Sequence, residues 1–179
     1  MDGDTSTNDA CTLSATNQSG ILYSQCKEAF QKALNELTKK LANMIVKDGE
    51  GSTKFVEVRV SGLESNEDCL EVAYTVAHSP LVKTALFASD ANWGRILAAV
   101  GRARVDGISF ENINISLNEV QIILSGEISE QYTEEAGSRE MEKPEITIRI
   151  DLGSFKTNES VWTTDLSYGY VKINAEYRS

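Results

Sequence analysis

Apolar positions recur every three or four residues from Ser24 to Val46, and this spacing predicts a long helix over 24–46. Phe30, Leu34, Leu37, Leu41, Met44 and Ile45 share one face, with Lys and Glu on the other. The stretch "KDGEGSTK" (47–54) ends it, because two glycines, an Asp and a Ser continue a helix poorly. The period then changes to two. In "FVEVRV" Val56, Val58 and Val60 face one side and Glu57 and Arg59 the other, which is a half-buried strand.

Residues 65–103 read as successive short helices. Ser65 or Asn66 caps the first, acids fill its opening turn, and Pro80 after Ser79 marks the start of a second. Asp90 or Asn92 caps a third, whose small Ala98, Ala99 and Gly101 permit close packing. The last third returns to strands. "INISLN" (113–118) and "VQIILS" (120–125) imply a hairpin or bent strand, and "EITIRIDL" (145–152) alternates strictly. "SEQYTEEAGSREME" (129–142) reads as an acidic helix with a solvated face, and "VWTTDL" and "YVKINAEY" complete the strands. The order of elements predicts an α+β layered fold, a mixed sheet with helices packed on it. The division falls near 46–54, giving a unit 1–46 (a strand plus the long helix) and a unit 47–179.

Composition narrows the function classes. At 179 residues a core needs neither disulfide nor metal, and 41% apolar with 25% charged residues is ordinary for a folded domain. A net charge of −10 repels nucleic acid and anionic membranes, so neither is an expected partner. Cysteines 11, 26 and 69 are odd in number and lack CxxC spacing, pointing to reduced thiols in the cytoplasm. The one histidine, His78, cannot build a His-rich metal site, and no metal is expected. No run approaches the 18 apolar residues of a membrane span.

Four stretches are dense in small and polar residues: "DGDTSTND" (2–9), "DGEGSTK" (48–54), "SPLVKTALFASDANWGR" (79–95) and "DLSYGYVKINAEYRS" (165–179). Each alone has a dull reading as a turn, a cap, a core tryptophan or an edge strand. Glu50 is harder to set aside: a carboxylate between two glycines is little shielded and could meet an ammonium group. His78 reads better as a helical histidine than as a general base.

Together, in this order and at these separations, the four stretches resemble the ornithine acetyltransferase family of arginine biosynthesis, the bifunctional glutamate N-acetyltransferases, from the first residue to the last. The resemblance implies a precursor that cuts itself at an Ala-Thr bond into α and β chains. The new N-terminal threonine would be the nucleophile, its own amine the base, with an oxyanion hole supplied by the α chain. Acetyl would pass from N-acetylornithine to glutamate by a ping-pong route, without an obligatory cofactor; bifunctional members also use acetyl-coenzyme A. These residues hold no such junction, since Ala15-Thr16 in "LSATNQ" lacks the family setting. The resemblance therefore implies the C-terminal part of a β chain, inactive alone and lacking the nucleophile. Its expected partners are the α chain and the first part of the β chain, in a heterotetramer of two α and two β chains.

Carried over residue by residue, Glu50, Asn174 and Ser179 are the expected substrate contacts, with Asp4, Thr5, Asn8 and Asp9 supporting the site from behind. Gly169 departs from the family's "DLSYDYVKIN", which has Asp there. An amino-acid-binding or assembly module without catalysis is the alternative reading.

Overall fold

The computed structural model describes residues 2–177, and its elements follow the period changes in the chain. In order they are α1 (Tyr23–Lys47), β1 (Phe55–Ser61), α2 (Asn66–Ala77), α3 (Pro80–Phe87), α4 (Trp93–Gly101), β2 (Asn114–Leu117), β3 (Val120–Leu124), β4 (Glu127–Ile128), α5 (Glu134–Met141), β5 (Glu145–Asp151), β6 (Asn158–Thr164) and α6 (Tyr168–Glu176). The six strands form one mixed sheet in the order β4-β3-β2-β5-β1-β6. Among the described residues only the β1–β5 pair is parallel.

Alternation decides which face is buried. Val56, Val58 and Val60 of β1 and Ile146, Ile148 and Ile150 of β5 are at most 2% exposed and face the helices. The register sets Val58 beside Ile148, and Ile115 and Leu117 of β2 continue the row. Against them pack Cys69, Val72, Ala73 and Val76 of α2, Ile96 and Val100 of α4, and Met141 of α5. Each such side chain withdrawn from water contributes roughly 1.5–3 kcal/mol. Four of the helices start where a short polar side chain takes an orphan N–H. Ser65 accepts from Asp68, Asn92 from Arg95, Thr133 from Ala136, and Ser167 from Tyr170.

Two sequence expectations need correction. "YVKINAEY" lies within α6 and its C-cap rather than in a strand: Val171, Ile173 and Ala175 alternate with Lys172, Asn174 and Glu176 as a strand would, but Ser167 caps the segment into a helix. No strand occurs in 1–46 among the described residues: 2–21 follow an irregular path with local side-chain-to-backbone bonds. The long helix forms, but its apolar face is not in the core. No α1 residue is buried, and Leu37, Leu41, Met44 and Ile45 are 47–69% exposed. Long lysines of α1 meet the sheet, with Lys39 over the Trp162 ring and Lys47 over Phe55 and paired to Glu145, and Leu34, Asn43 and Val46 are half-buried.

Two lysines sit inside. Lys83 of α3, 3% exposed, donates to Thr163 Oγ1 at 3.0 Å and to the Thr164 carbonyl. Lys54 donates to Ser89 Oγ at 2.7 Å and to the Met141 carbonyl. Burial drives the Lys83 ammonium down to about 8 from 10.5. Between those values the unfolded chain holds the proton that the folded chain has released, so stability rises with pH there. Below about 8 the full penalty of a buried charge is present. The stability of the wild type relative to Lys83→Met should therefore increase by up to about 3 kcal/mol from pH 7 to 10.5, measured by urea unfolding. A pH-independent difference would contradict a depressed Lys83.

Candidate functional site

Glu50 stands in the turn between α1 and β1. Ser52 N–H donates to the Gly49 carbonyl at 3.0 Å, closing the turn, and Gly51 at its third position has φ +64°. A positive φ there is the reason for glycine at that place. A second reason is space. A Cβ on Gly51 would lie 2.4 Å from the Tyr170 nitrogen and 2.7 Å from the Gly169 carbonyl carbon, so the turn lies directly on the first residues of α6.

Polar groups fasten that contact from below. Ser167 Oγ donates to the Gly51 carbonyl at 2.5 Å while accepting from Tyr170 N–H at 3.1 Å, so one hydroxyl both caps α6 and holds the turn. Asp165, 3% exposed, accepts from Thr53 N–H (2.8 Å), Thr53 Oγ1 (2.7 Å) and Lys54 N–H (3.0 Å). A carboxylate meeting two backbone N–H groups and a hydroxyl is a strong, directional anchor. It sets the entrance of β1 against the end of β6.

The consequence appears one helical turn further on. Asn174 Nδ2 donates to Glu50 Oε2 at 3.0 Å and to the Tyr170 carbonyl at 3.0 Å. Two residues 124 positions apart in sequence are thus side by side, both exposed. Ser179, the third expected contact, lies outside the described residues. A Glu carboxylate oriented by an amide and open to solvent can accept a ligand ammonium.

The N-terminal stretch reaches the same helix by a different residue than expected. Tyr170 OH donates to Asp2 Oδ2 at 2.8 Å, and that bond pushes the Tyr170 phenol up from its ordinary value. Asp4, Asn8 and Asp9 bond only within their own turn, Asp4 N–H to Asp2 and the N–H groups of Asn8 and Asp9 to Ser6 Oγ, and Thr5 makes no side-chain bond among the described residues. His78 ends α2, stacks on Tyr74 with centroids 5.5 Å apart, and burial pushes its imidazolium down. Gly169 has room for little: a Cβ there would sit 3.2 Å from Ser167 Oγ and 3.5 Å from Gly51 Cα. An Asp at 169 therefore needs Ser167 to give by a few tenths of an ångström. Among the described residues no group of three His, Cys, Asp or Glu side chains gathers to hold a metal, and no helix is long and apolar enough to cross a membrane.

Sequence reasoning singled out Glu50 and Asn174 but missed Asp165, Ser167, Tyr170 and Asp2. The "DLS" ahead of a helix was the available signal, since a serine there is an N-cap. Nothing local announces that the same serine spans to residue 51.

The ArgJ family model matches residues 1–179. The arginine biosynthesis bifunctional protein ArgJ of Psychrobacter arcticus is 54% identical over 184 residues, covering all of this chain and 45% of that protein. The same-named proteins of Pseudomonas syringae pv. tomato and Methylococcus capsulatus are 53% and 49% identical with equal coverage, so the chain spans just under half the length of these curated relatives. The crystal structure of the arginine biosynthesis bifunctional protein ArgJ from Bacillus halodurans superposes with a TM-score of 0.90 at 34% identity, over 98% of this chain and 84% of that one.

Proposed function

The chain belongs to the ArgJ family, and on that premise we propose that it supplies one wall of an acetyltransferase site that moves an acetyl group from N-acetylornithine to glutamate in arginine biosynthesis. The observation that carries this is the Glu50–Asn174 contact, a carboxylate oriented by an amide from the far end of the chain. In this reading Glu50 contacts the substrate's amino end, accepting from the amide N–H of N-acetylornithine and from the amine of glutamate, and Asn174 fixes the carboxylate. Ser179 completes that end of the pocket.

The reaction divides between this wall and polypeptide outside these 179 residues. A threonine hydroxyl there attacks the acetyl carbonyl of N-acetylornithine and forms an ester, its amine taking the hydroxyl proton and returning it to the departing ornithine nitrogen. Glutamate then enters the same pocket, its amino nitrogen attacks the ester, and the threonine hydroxyl is restored. The reacting nitrogen carries an N–H in both the acetylated donor and the glutamate acceptor, and one fixed carboxylate can accept from it in both halves of the reaction. Acetyl-coenzyme A is the second donor in bifunctional members. The exposed apolar stripe of α1 supports the partner side of the reading: Leu37, Leu41, Met44 and Ile45 are poorly suited to water and fit a face that packs on the α chain or the first part of the β chain. A heterotetramer of two α and two β chains in the cytoplasm is the assembly proposed.

The test joins this chain to the preceding polypeptide of the Psychrobacter arcticus relative, by co-expression, and follows acetyl transfer from N-acetylornithine to glutamate. The isolated chain should show no turnover and the joined protein should be active. Glu50→Gln in the joined protein should lower kcat/KM by roughly 10- to 100-fold, the loss of a charged hydrogen bond. Turnover by the isolated chain, or an unaffected Glu50→Gln enzyme, would refute the assignment.

A further inference from the structure

The face of the sheet turned away from α2–α5 is polar, and one part of it is built unlike ordinary solvated surface. Arg59 of β1 and Arg149 of β5 are direct neighbours in the parallel register. Adjacent strands run about 4.8 Å apart, and like charges side by side on one face cost stability. The same register sets Ser160 beyond Arg59 and Ser116 beyond Arg149, so no carboxylate flanks the pair in its own row. Glu57, one row along β1 and only 18% exposed, accepts from Arg59 Nη2 at 3.1 and 3.3 Å, while Arg149 Nη1 donates to the Asn118 carbonyl and its Nη2 meets the 90% exposed Glu119 at 3.5 Å. Arg59 Nε and Nη1 and Arg149 Nε have no acceptor among the described residues.

One row along the strands the sign changes. Asp151 lies beside Ser61 in the register, and its Oδ1 accepts from Ser61 Oγ at 3.0 Å while Asn114 approaches Oδ2 at 3.5 Å. A carboxylate has about four acceptor sites, so Asp151 retains capacity for a further donor. Both arginines, Asp151, Ser116 and Asn158 line one open cleft of about 380 Å³.

We propose that this cleft is a binding site for a free α-amino acid, its carboxylate held between the Arg59 and Arg149 guanidiniums and its ammonium by Asp151. Guanidinium forks match a carboxylate in a bidentate manner, and a bound anion removes the repulsion between the two arginines. The neighbouring row supplies the opposite charge that a zwitterion carries, whereas a simple anion would leave Asp151 as a repulsive neighbour. The site is separate from Glu50. Arg59 lies four residues up β1 from Phe55, about 13 Å along the strand at 3.3 Å per residue. It does not depend on the acetyl-transfer reading, and it gives the chain a place to sense amino-acid levels away from the Glu50 turn.

The experiment is a titration of the isotopically labelled 179-residue chain followed by two-dimensional amide NMR. Glycine, the smallest α-amino acid, is the probe, with acetate, methylamine and inorganic phosphate in parallel. Glycine should shift the amides of β1, β2 and β5 around residues 59–61, 114–116 and 149–151. Acetate and methylamine, each lacking one charged contact, should bind at least roughly tenfold more weakly. Arg149→Gln and Asp151→Asn should each weaken glycine binding by a similar factor. Phosphate or acetate binding as tightly as glycine would overturn the zwitterion site in favour of a plain anion site. Absence of shifts on this face with glycine would overturn the proposal outright, without reliance on any variant's folding. A shift confined to the Glu50 turn would do the same.

Discussion

Gly51→Ala is expected to destabilise the chain by about 3 kcal/mol or more and to detach α6 from the 49–52 turn. Two effects combine. The left-handed φ of +64° costs a Cβ-bearing residue roughly 1–2 kcal/mol by itself. The added methyl would also stand 2.4 Å from the Tyr170 nitrogen, against backbone that cannot rotate aside. Gly107 separates the two contributions. Its φ is +75° but nothing lies within 4 Å of its notional Cβ, so Gly107→Ala should lose only the conformational part, about 1 kcal/mol. Urea unfolding of both variants measures the difference, and hydrogen exchange of the α6 amides reports where it acts. Equal losses at the two positions would mean that the turn and α6 are not in close contact.

Removing the Asp165 carboxylate ranks next. Asp165→Ala removes the acceptor of the Thr53 and Lys54 N–H groups, the latter on a buried residue, and the expected loss is about 3 kcal/mol. Asp165→Asn keeps one acceptor oxygen but turns an NH2 toward a donor, so it should lie between alanine and wild type. The Thr53 and Lys54 amides should exchange much faster in both. In the joined protein the expected signature is a raised KM for glutamate, because Glu50 loses its fixed station while the nucleophile is untouched. A loss below about 1 kcal/mol for Asp165→Ala would show that water replaces the carboxylate readily.

The period changes along the chain carried much of the architecture. Alternating valines and isoleucines at 56–60 and 146–150 announce a sheet with one buried face, and the caps at Ser65 and Asn92 fall where short polar side chains precede apolar runs. The mixed sheet with helices packed on it follows from that order. α6 was misread because tyrosine, valine and isoleucine suit strands, and a single serine decided otherwise. The exposure of the apolar face of α1 was not legible for a different reason. Helical periodicity shows that a face is apolar but not what covers it. The juxtaposition of Glu50 and Asn174 was legible only through family resemblance. Its physical basis, Asp165 and Ser167 reaching back 112 and 116 residues, leaves no periodic trace. The buried lysines are equally silent, since Lys83 looks like any solvated helical lysine until Thr163 and Thr164 arrive beside it.

The parallel seam at the middle of the sheet has a bearing on how the polypeptide emerges during synthesis. β1 is made before its two neighbours, β5 and β6, which follow about ninety and one hundred residues later. Until residues 145–164 leave the ribosome, β1 presents two bare edges and a row of valines to the surroundings. Closing such a long loop is slow and precedes any reward from contacts. A nascent chain paused before Glu145 is thus the form most exposed to sticking, and the one a chaperone would have to shelter.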